Sequence, residues 1–473
     1  MNKSIYDVAV FGGGVIGSSI FNALVKSGYN VVLIEKGLDL AVGATKANSA
    51  IVHAGYDAEP NTLKAMLNVE GNKMFPSMCK RLGLPLKKIG SYVIGDNVKA
   101  VNDLYNKGKI NGVKNLKVLN KKQLQKKLPN LSDNITYGLF CKNSFVVSPY
   151  LLTVCLAEEG VVNGGKVLLN FQTESIIKSE NVFKISNGQT IIYANNIVNS
   201  CGSGYNDLAK LIGSEQYDIT FKRGEYYVLD HSEKDLVPST IFPLPSQHGK
   251  GILVTPTIDG NILVGPTSYL SDASTKTTSE GLKEISEKCK ALINNVNLAK
   301  CIRNFSGIRT IVGNDFVIEK SKKVDNVINL AGICSPGLSS SPAIAKYVMK
   351  LLGFKYNINK KSIKIKPYIN LNTMSLKQKN ALIKSNEDYG KIICKCENIS
   401  KGEIIDAIHR PITPITTDAI KRRVRAGMGR CQGAFCLDRV INILATENNC
   451  ELHNINKEMP NSEIIVANIK EVQ

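Results

Sequence analysis

The chain has 473 residues, 43% apolar and 21% charged. At roughly 100–200 residues per domain this predicts two to four domains with full hydrophobic cores, and it excludes global disorder, collagen-like repeats and disulfide-stapled miniproteins. Sixty Lys and Arg against 40 Asp and Glu leave a formal charge of +20. The lysines are spread along the whole chain without an aromatic-interleaved basic block, so the charge reads as a solvated surface with a general attraction for anionic substrates, and no nucleic-acid partner is expected.

Near the N-terminus, Tyr6–Phe11 is a short β-branched run and Ser18–Ser27 reads as a helix with Gly28 as its C-cap. Asn30–Ile34 is then a second strand ending at Glu35. This is a βαβ unit within about 30 residues. The apolar stretch Val8–Val25 has a superficial signal-peptide look, but Gly12, Gly13, Gly14, Gly17 and Asn22 interrupt it, and strand–turn–helix accounts for it better. No run of about 18 gap-free apolar residues occurs, so no transmembrane segment is expected. Basic peripheral contact with a membrane stays open.

Between that strand and helix lies Gly12-x-Gly14-x-x-Gly17. The first glycine permits a tight turn, the second lets the backbone approach a pyrophosphate, and the third lets helix pack on strand. The N–H groups of the helix start then face the phosphates. Glu35 is placed to accept from a ribose and disfavours a 2′-phosphate, so a dinucleotide other than NADP is expected. NAD and FAD share such a cradle.

Further along, Gly43–Gly55 is a loop of small and hydroxyl residues suited to close approach by an extended cofactor. A helix-like Tyr150–Val161 and strands near Lys166–Leu169 and Ile191–Val198 follow, with a glycine turn at Gly202. Two turn-delimited strand pairs come next, Glu225–Leu229 and Ile252–Val264, the latter bent at Asp259-Gly260. A last glycine turn, Asn329–Pro342, precedes a helix over Ala343–Leu352, whose N-terminus offers N–H donors and a positive dipole to an electron-rich flavin edge. The pattern predicts an α/β fold, a Rossmann-like dinucleotide-binding domain with an inserted, largely antiparallel substrate domain.

Eight cysteines are scattered singly, as buried thiols are, which points to a reducing, cytoplasmic compartment. Cys394-x-Cys396 and Cys431-x4-Cys436 stand apart from them, separated by 34 residues. Four thiolates suit structural zinc or a [2Fe–2S] cluster, and C-x-C is unusual for zinc. Short helices are expected at Glu403–His409 and Thr417–Arg425. The glycines of Arg425-Ala426-Gly427-Met428-Gly429-Arg430 let N–H groups approach cluster sulfides while the arginines offset negative charge. Arg422, Arg423 and Arg425 read alternatively as a docking face for an acidic partner.

Several segments together resemble the FAD-dependent oxidoreductases of the D-amino-acid oxidase and glycerol-3-phosphate dehydrogenase superfamily. They are IVHAGYD (Ile51–Asp57), VSPYLLT (Val147–Thr153), RGEYYVLD (Arg223–Asp230), GNILVGPT (Gly260–Thr267), FSGIRT (Phe305–Thr310) and SPGLSSSPAIA (Ser335–Ala345). The resemblance spans about residues 4–350 and implies FAD as cofactor, held by Gly12, Gly14, Val15, Ile16, Gly17, Glu35, Lys36, Thr45, Ser49, Ala50, Ser175, Gly202, Gly332, Gly337, Leu338 and Ser339. It implies hydride transfer from substrate to flavin N5, with His53 as proton acceptor and Arg309 as the ligand of an anionic substrate group. Tyr226 would close the pocket, and Lys222 and Arg223 would add charge for a phosphate. The sequence has GIRT where relatives often read GxRP. The cysteine module resembles the bacterioferritin-associated-ferredoxin-like [2Fe–2S] domain at the C-terminus of anaerobic glycerol-3-phosphate dehydrogenases and some amino-acid dehydrogenases.

The expected organisation is an oxidoreductase over 1–353, with FAD-binding segments about 1–80, 145–215 and 300–353 and substrate-domain segments about 81–144 and 216–299. A linker at 354–388, the [2Fe–2S] module at 389–447 and a polar tail at 448–473 complete it. The expected reaction is oxidation of sn-glycerol 3-phosphate to dihydroxyacetone phosphate, with electrons passing to a quinone, an electron-transfer protein or a partner subunit, through the cluster or directly. A 2-hydroxyacid or amino-acid dehydrogenase with the same cofactors is the alternative within the enzyme class, and an electron-transfer subunit that oxidises no metabolite is the alternative outside it. Convergence of His53 and Arg309 on one cavity favours an enzyme.

Overall fold

The computed structural model describes residues 5–245, 251–357 and 362–467. Strand Ile5–Phe11 pairs in parallel with Val31–Ile34 on one side and Ile191–Asn199 on the other, and Val31–Ile34 pairs in parallel with Lys166–Leu168. Ser175–Ser179, Val182–Ser186, Val317–Lys320 and Val327–Ala331 complete an eight-stranded mixed sheet. Its central strands are buried on both faces, which is why Val8–Phe11 and Val31–Ile34 read as unbroken apolar runs. The first helix runs Val15–Lys26; Ser27 is its C-cap and Gly28, at φ +94°, follows as the left-handed residue.

A second, nine-stranded sheet is assembled from two stretches of chain. Ser91–Gly95, Leu116–Asn120 and Tyr137–Cys141 come from the first stretch and six strands within Thr220–Ile311 from the second, joined where Ser91–Gly95 runs parallel to Thr240–Pro243. The expected bend at Asp259-Gly260 is a hairpin turn between Leu253–Pro256 and Ile262–Gly265. The long strands Thr220–Leu229 and Cys301–Ile311 pair antiparallel along nearly their whole length, setting Tyr226 opposite Phe305 and Lys222 opposite Arg309.

The last helix of the nucleotide-binding part starts earlier than Ala343, running Gly337–Leu351 with Pro342 inside it. A proline there forfeits a helical hydrogen bond, yet the helix packs against Val15–Lys26 and Leu63–Leu82, and tertiary packing overrides the local cost. Gly71 makes that contact possible, since a Cβ at this position would strike the backbone of Ser339 and Ser340.

Two further expectations change. The expected linker 354–388 contains a helix, Leu376–Ser385, begun by a capping box between Ser375 and Gln378. That local signature carries no apolar periodicity, so the helix is invisible to a periodicity reading. Residues 358–361 of the linker lie outside the described residues. The polar tail also returns to the fold: Asn456 bridges Thr416, and Glu458 pairs with Lys46 and Arg422. The C-terminal module has its own apolar core, built from helices Lys401–Ile408, Thr417–Val424 and Leu437–Asn448. Among the described residues no helix is long and apolar enough to cross a membrane.

Candidate functional site

A cavity of about 1320 Å³ runs from the glycine turn after strand Ile5–Phe11, past the loop Gly43–Ile51, to the C-terminal module. Gly12 has φ +100° and lies against the Ser200 carbonyl, so only glycine fits there. At Gly17 a Cβ would meet the Gly12 carbonyl, which is the close helix-to-strand approach the spacing predicted. Gly14 is the N-cap of the first helix and has no side-chain cap, leaving backbone donors toward the cavity, while the Val15 N–H donates to Thr45 Oγ1 at 3.0 Å. Glu35 is buried and already accepts from the Gly13 N–H at 2.6 Å and the Gly37 N–H at 2.7 Å. A carboxylate has about four acceptor positions, so capacity for a ribose hydroxyl remains.

The cavity is lined by Gly12, Gly14, Val15, Ile16, Glu35, Lys36, Thr45, Ser49, Ala50, His53, Gly202, Tyr226, Arg309, Gly337 and Leu338. Gly17, Gly332 and Ser339 stand behind this wall rather than in it. Ser339 Oγ accepts the His53 N–H at 2.7 Å, and Gly332 packs on Val312. Ser175 does not belong to the site: it is exposed and begins an edge strand opposite Ser186. The chain passes the cavity two residues earlier, at Phe171, Gln172 and Thr173, before turning away into that strand.

His53 and Arg309 reach the same cavity from different sheets, His53 from a small three-stranded sheet in which Ile51–Val52 pairs with Phe145–Val146, and Arg309 from the nine-stranded one. His53 follows the short strand Ile51–Val52, and its carbonyl accepts from Asn68 Nδ2 at 2.6 Å and Asn72 Nδ2 at 3.0 Å, two asparagines one turn apart on Leu63–Leu82. Its ring lies 5.8 Å from Phe242 and also borders an adjoining cavity of about 220 Å³. Arg309 donates to the Thr267 carbonyl at 2.8 Å. Its guanidinium occupies the space that a side chain at Gly224 would need. The Tyr226 phenol bonds to Ser49 and Arg309, stacks on Phe305 at 4.8 Å, and is pushed above its ordinary pKa by burial. The pairing register therefore delivers Tyr226, Phe305 and Arg309 to one face. Arg223 is turned away onto buried Glu225 at 2.9 Å, and neither it nor Lys222 lines the cavity. Thr267, Gly224, Phe305 and the two asparagines escaped the sequence reading, because their roles depend on cross-strand register and helix facing.

These features fit a flavin dinucleotide: uncapped helix starts at Gly14 and Gly337, glycines where a Cβ would collide, and an extended wall of small residues between them.

At the other end of the cavity the C-terminal module contributes Lys421, Arg425, Met428 and Gln432 to the wall. Its four cysteines lie in two pairs. Cys394 and Cys436 are buried and hydrogen-bonded to each other; Cys396 and Cys431 sit nearer the surface with their sulfurs 3.5 Å apart. The Cys394 thiol is pulled down to about 6 by the hydrogen bond with Cys436 first, then by the N–H groups of Gly427 and Glu397. Burial opposes ionisation of Cys431, but bonds from Gly433, Cys396 and Phe435 still lower it. Gly427 and Gly433, at φ +88° and +100°, aim these donors. Cys436 is pushed up by its bond to Cys394, and Cys396 is pushed up as well although the Cys431 backbone opposes it, so each pair favours one thiolate. The set of four sulfurs, rather than the ionisation of the free thiols, is what suits a sulfur-ligated cluster.

The three arginines proposed as a docking face are instead internal fasteners. Arg422 and Arg423 enclose buried Asp39, at 3.0 and 2.9 Å. Arg425 bonds Glu397, Asp259 and Asn261, at 2.7, 2.7 and 3.1 Å. Arg410 adds a bond to buried Glu158 at 2.7 Å. Asp39 was missed as well, although a lone aspartate between Leu38 and Leu40 marks a buried charge needing a partner.

Residues 7–351 match the family model for FAD dependent oxidoreductases, and residues 392–446 match that for BFD-like [2Fe-2S] binding domains. The chain is 42% identical over 483 aligned positions to a glycerol 3-phosphate dehydrogenase of Caloramator mitchellensis, covering 99% of this chain and 100% of the relative. A glycerol 3-phosphate oxidase of Mycoplasma genitalium is 33% identical over 77% of this chain and 98% of its own length. The FAD-bound structure of L-α-glycerophosphate oxidase from Mycoplasma pneumoniae superposes with a TM-score of 0.74 at 29% identity, over 77% of this chain and all of that one. With cradle, cavity wall and cysteine module accounted for, the chain belongs to the FAD-dependent oxidoreductase family and carries a BFD-like [2Fe–2S] binding domain at its C-terminal end.

Proposed function

We propose that the protein is a glycerol-3-phosphate dehydrogenase that oxidises the C2 hydroxyl of sn-glycerol 3-phosphate to the ketone of dihydroxyacetone phosphate. The observation that carries this reading is full-length similarity to a glycerol 3-phosphate dehydrogenase, spanning both the oxidoreductase and the cysteine module. Arg309 is the ligand of the substrate phosphate, its fork held at the right tilt by the Thr267 carbonyl and supported by Tyr226. His53, fixed through its backbone by Ser339, Asn68 and Asn72, accepts the hydroxyl proton. Bound FAD supplies the acceptor for the hydride leaving C2. The binding contacts are those of the lining residues given above, with Thr173 in the place assigned to Ser175.

Cys394, Cys396, Cys431 and Cys436 hold the cluster, which supplies one-electron transfer. Met428 lines the cavity and lies three residues from Cys431, so at most about 11 Å of extended chain separates the wall from a cluster ligand. That proximity supports an outward electron route from flavin through cluster to an external acceptor. A division into an oxidoreductase of 1–353 and a cluster module of 389–447 belongs to the same reading, as does a cytoplasmic location.

The test is anaerobic bleaching of the purified holoprotein's visible flavin band. Rapid bleaching by sn-glycerol 3-phosphate, with 2-hydroxyglutarate and proline inert, is the expected result. Bleaching by one of those acids and not by glycerol 3-phosphate overturns the substrate assignment.

A further inference from the structure

With every arginine of the Arg422–Arg425 run consumed inside the fold, the charged side chains left around the cysteines form a different surface. Cys394 and Cys436 are 1% and 2% exposed, whereas Cys396 is exposed and Cys431 half-buried, so the cluster site has one inner and one outer pair. Lys395 separates the first two ligands and Arg430 immediately precedes Cys431. Phe435 immediately precedes Cys436, and Arg439 lies three residues beyond it, in the first turn of Leu437–Asn448. All four are exposed.

Phe435 is 77% exposed, and Leu437 beside it 36%. A phenylalanine held in water next to a cluster ligand loses the favourable burial it would gain in a core or an interface. Arg430 reaches Asp230 at 3.1 Å but keeps a side chain 72% exposed. Lys395 and Arg439 make no ion pair or side-chain hydrogen bond among the described residues. Asp438 is the acidic exception, at the start of the same helix.

We propose that this outer edge of the C-terminal module is the docking surface for an acidic one-electron carrier protein, with Phe435 at the centre of the contact and Lys395, Arg430 and Arg439 as its basic rim. The proposal rests on the reading that electrons leave through the cluster. An aromatic anchor inside a charged rim is the anatomy of a protein interface, and redox partners meet in small, weak encounters. A lipid surface takes a broader apolar face than Phe435 and Leu437 provide. Each oxidation of substrate releases two electrons, so two carrier molecules dock in turn. Each takes one electron from the cluster and leaves with its own centre reduced by one.

The probes are oxidised plastocyanin, an acidic blue-copper carrier, mitochondrial cytochrome c, a basic carrier of comparable size, and a water-soluble benzoquinone. Holoprotein reduced anaerobically by sn-glycerol 3-phosphate is mixed with each. Plastocyanin is expected to be reduced faster than cytochrome c, and its rate to fall about tenfold or more from low to high salt. Phe435→Ser, which keeps the backbone N–H that bonds Cys431, and Arg439→Glu, both checked for iron content and visible spectrum, are each expected to slow plastocyanin reduction about fivefold to tenfold. Flavin bleaching by substrate and reduction of the quinone stay unchanged in both. Faster reduction of cytochrome c, unchanged plastocyanin rates in both variants, or variant-sensitive binding to anionic phosphatidylglycerol vesicles without a carrier effect each overturns the proposal. If glycerol 3-phosphate leaves the flavin oxidised, the substrate reading fails by itself; dithionite then loads the electrons and the same comparison tests the surface.

Discussion

A residue's function here is set by what the backbone around it allows. Gly12 and Gly17 were legible in the sequence because a left-handed turn and a strand–helix contact admit no Cβ, a local requirement that spacing reveals. Gly17→Ala is expected to yield protein without bound flavin or no soluble protein, read from the ratio of flavin to protein absorbance; full loading contradicts the cradle. Arg309 was legible by motif, but the groups that aim it were not, since Gly224 and Thr267 approach only through the register of Thr220–Leu229 and its neighbours. Replacing Arg309 by Ala removes charge-assisted hydrogen bonds of about 1.5–3 kcal/mol, so the substrate dissociation constant should rise about tenfold to 150-fold. Flavin content should not change, and an unaltered dissociation constant sinks the phosphate-ligand role. His53→Asn keeps the backbone bonds to Ser339, Asn68 and Asn72 and removes the proton acceptor. Substrate-driven flavin reduction should slow by about 10²–10⁴ with FAD retained, and a rate equal to wild type excludes the histidine as base.

Elements followed the sequence wherever periodicity was strong and departed from it where capping or packing decided. Strand Ile5–Phe11 and helix Val15–Lys26 matched to within a few residues, whereas helix Gly337–Leu351 began six residues before its expected start because neighbouring helices, not local propensity, hold its first turns. The same dependence on distant partners hid the seam between the two parts of the chain. Asp39 carries no pattern of its own until Arg422 and Arg423 arrive from more than 380 positions away. Burial alone would raise its pKa, but the two guanidiniums hold it below the ordinary value. Asp39→Asn leaves buried Arg423 without its counter-charge and Arg422 with Glu458 alone, a change of about 3–5 kcal/mol against the docked arrangement. Limited proteolysis should then cut readily near the start of the module, and an unchanged cleavage pattern contradicts the fastener role.

Glu215 shows the opposite dependence on pH from a raised group. Burial opposes its ionisation, yet hydrogen bonds from Ser321, the Lys322 N–H and Asn329 bring it down from 4.5 to about 2. Its contribution to stability is therefore complete above pH 4.5 and disappears as pH falls through about 2. Thermal unfolding followed across that window should show wild type losing more stability than Glu215→Gln; parallel curves remove the assignment.

At the scale of the whole molecule, the cavity begins at a dinucleotide cradle and ends on the wall of a cysteine module. The two parts were legible separately, one from glycine spacing and one from C-x-C with C-x4-C. Their shared cavity was not, because it depends on Arg410, Arg422, Arg423 and Arg425 finding carboxylates across the seam. If the formal charge of +20 steers anionic ligands to this assembly, capture of sn-glycerol 3-phosphate is expected to weaken with rising salt. On the proposed function, one molecule both oxidises glycerol 3-phosphate and passes the electrons across this seam. Stopped-flow mixing of the anaerobic holoprotein with sn-glycerol 3-phosphate, recording flavin bleaching optically and cluster reduction by freeze-quench electron paramagnetic resonance, tests it most directly. The expected result is flavin bleaching first, then a reduced-cluster signal that grows at a rate independent of protein concentration. A cluster that stays oxidised beside a fully reduced flavin, or that is reduced only in proportion to protein concentration, contradicts it.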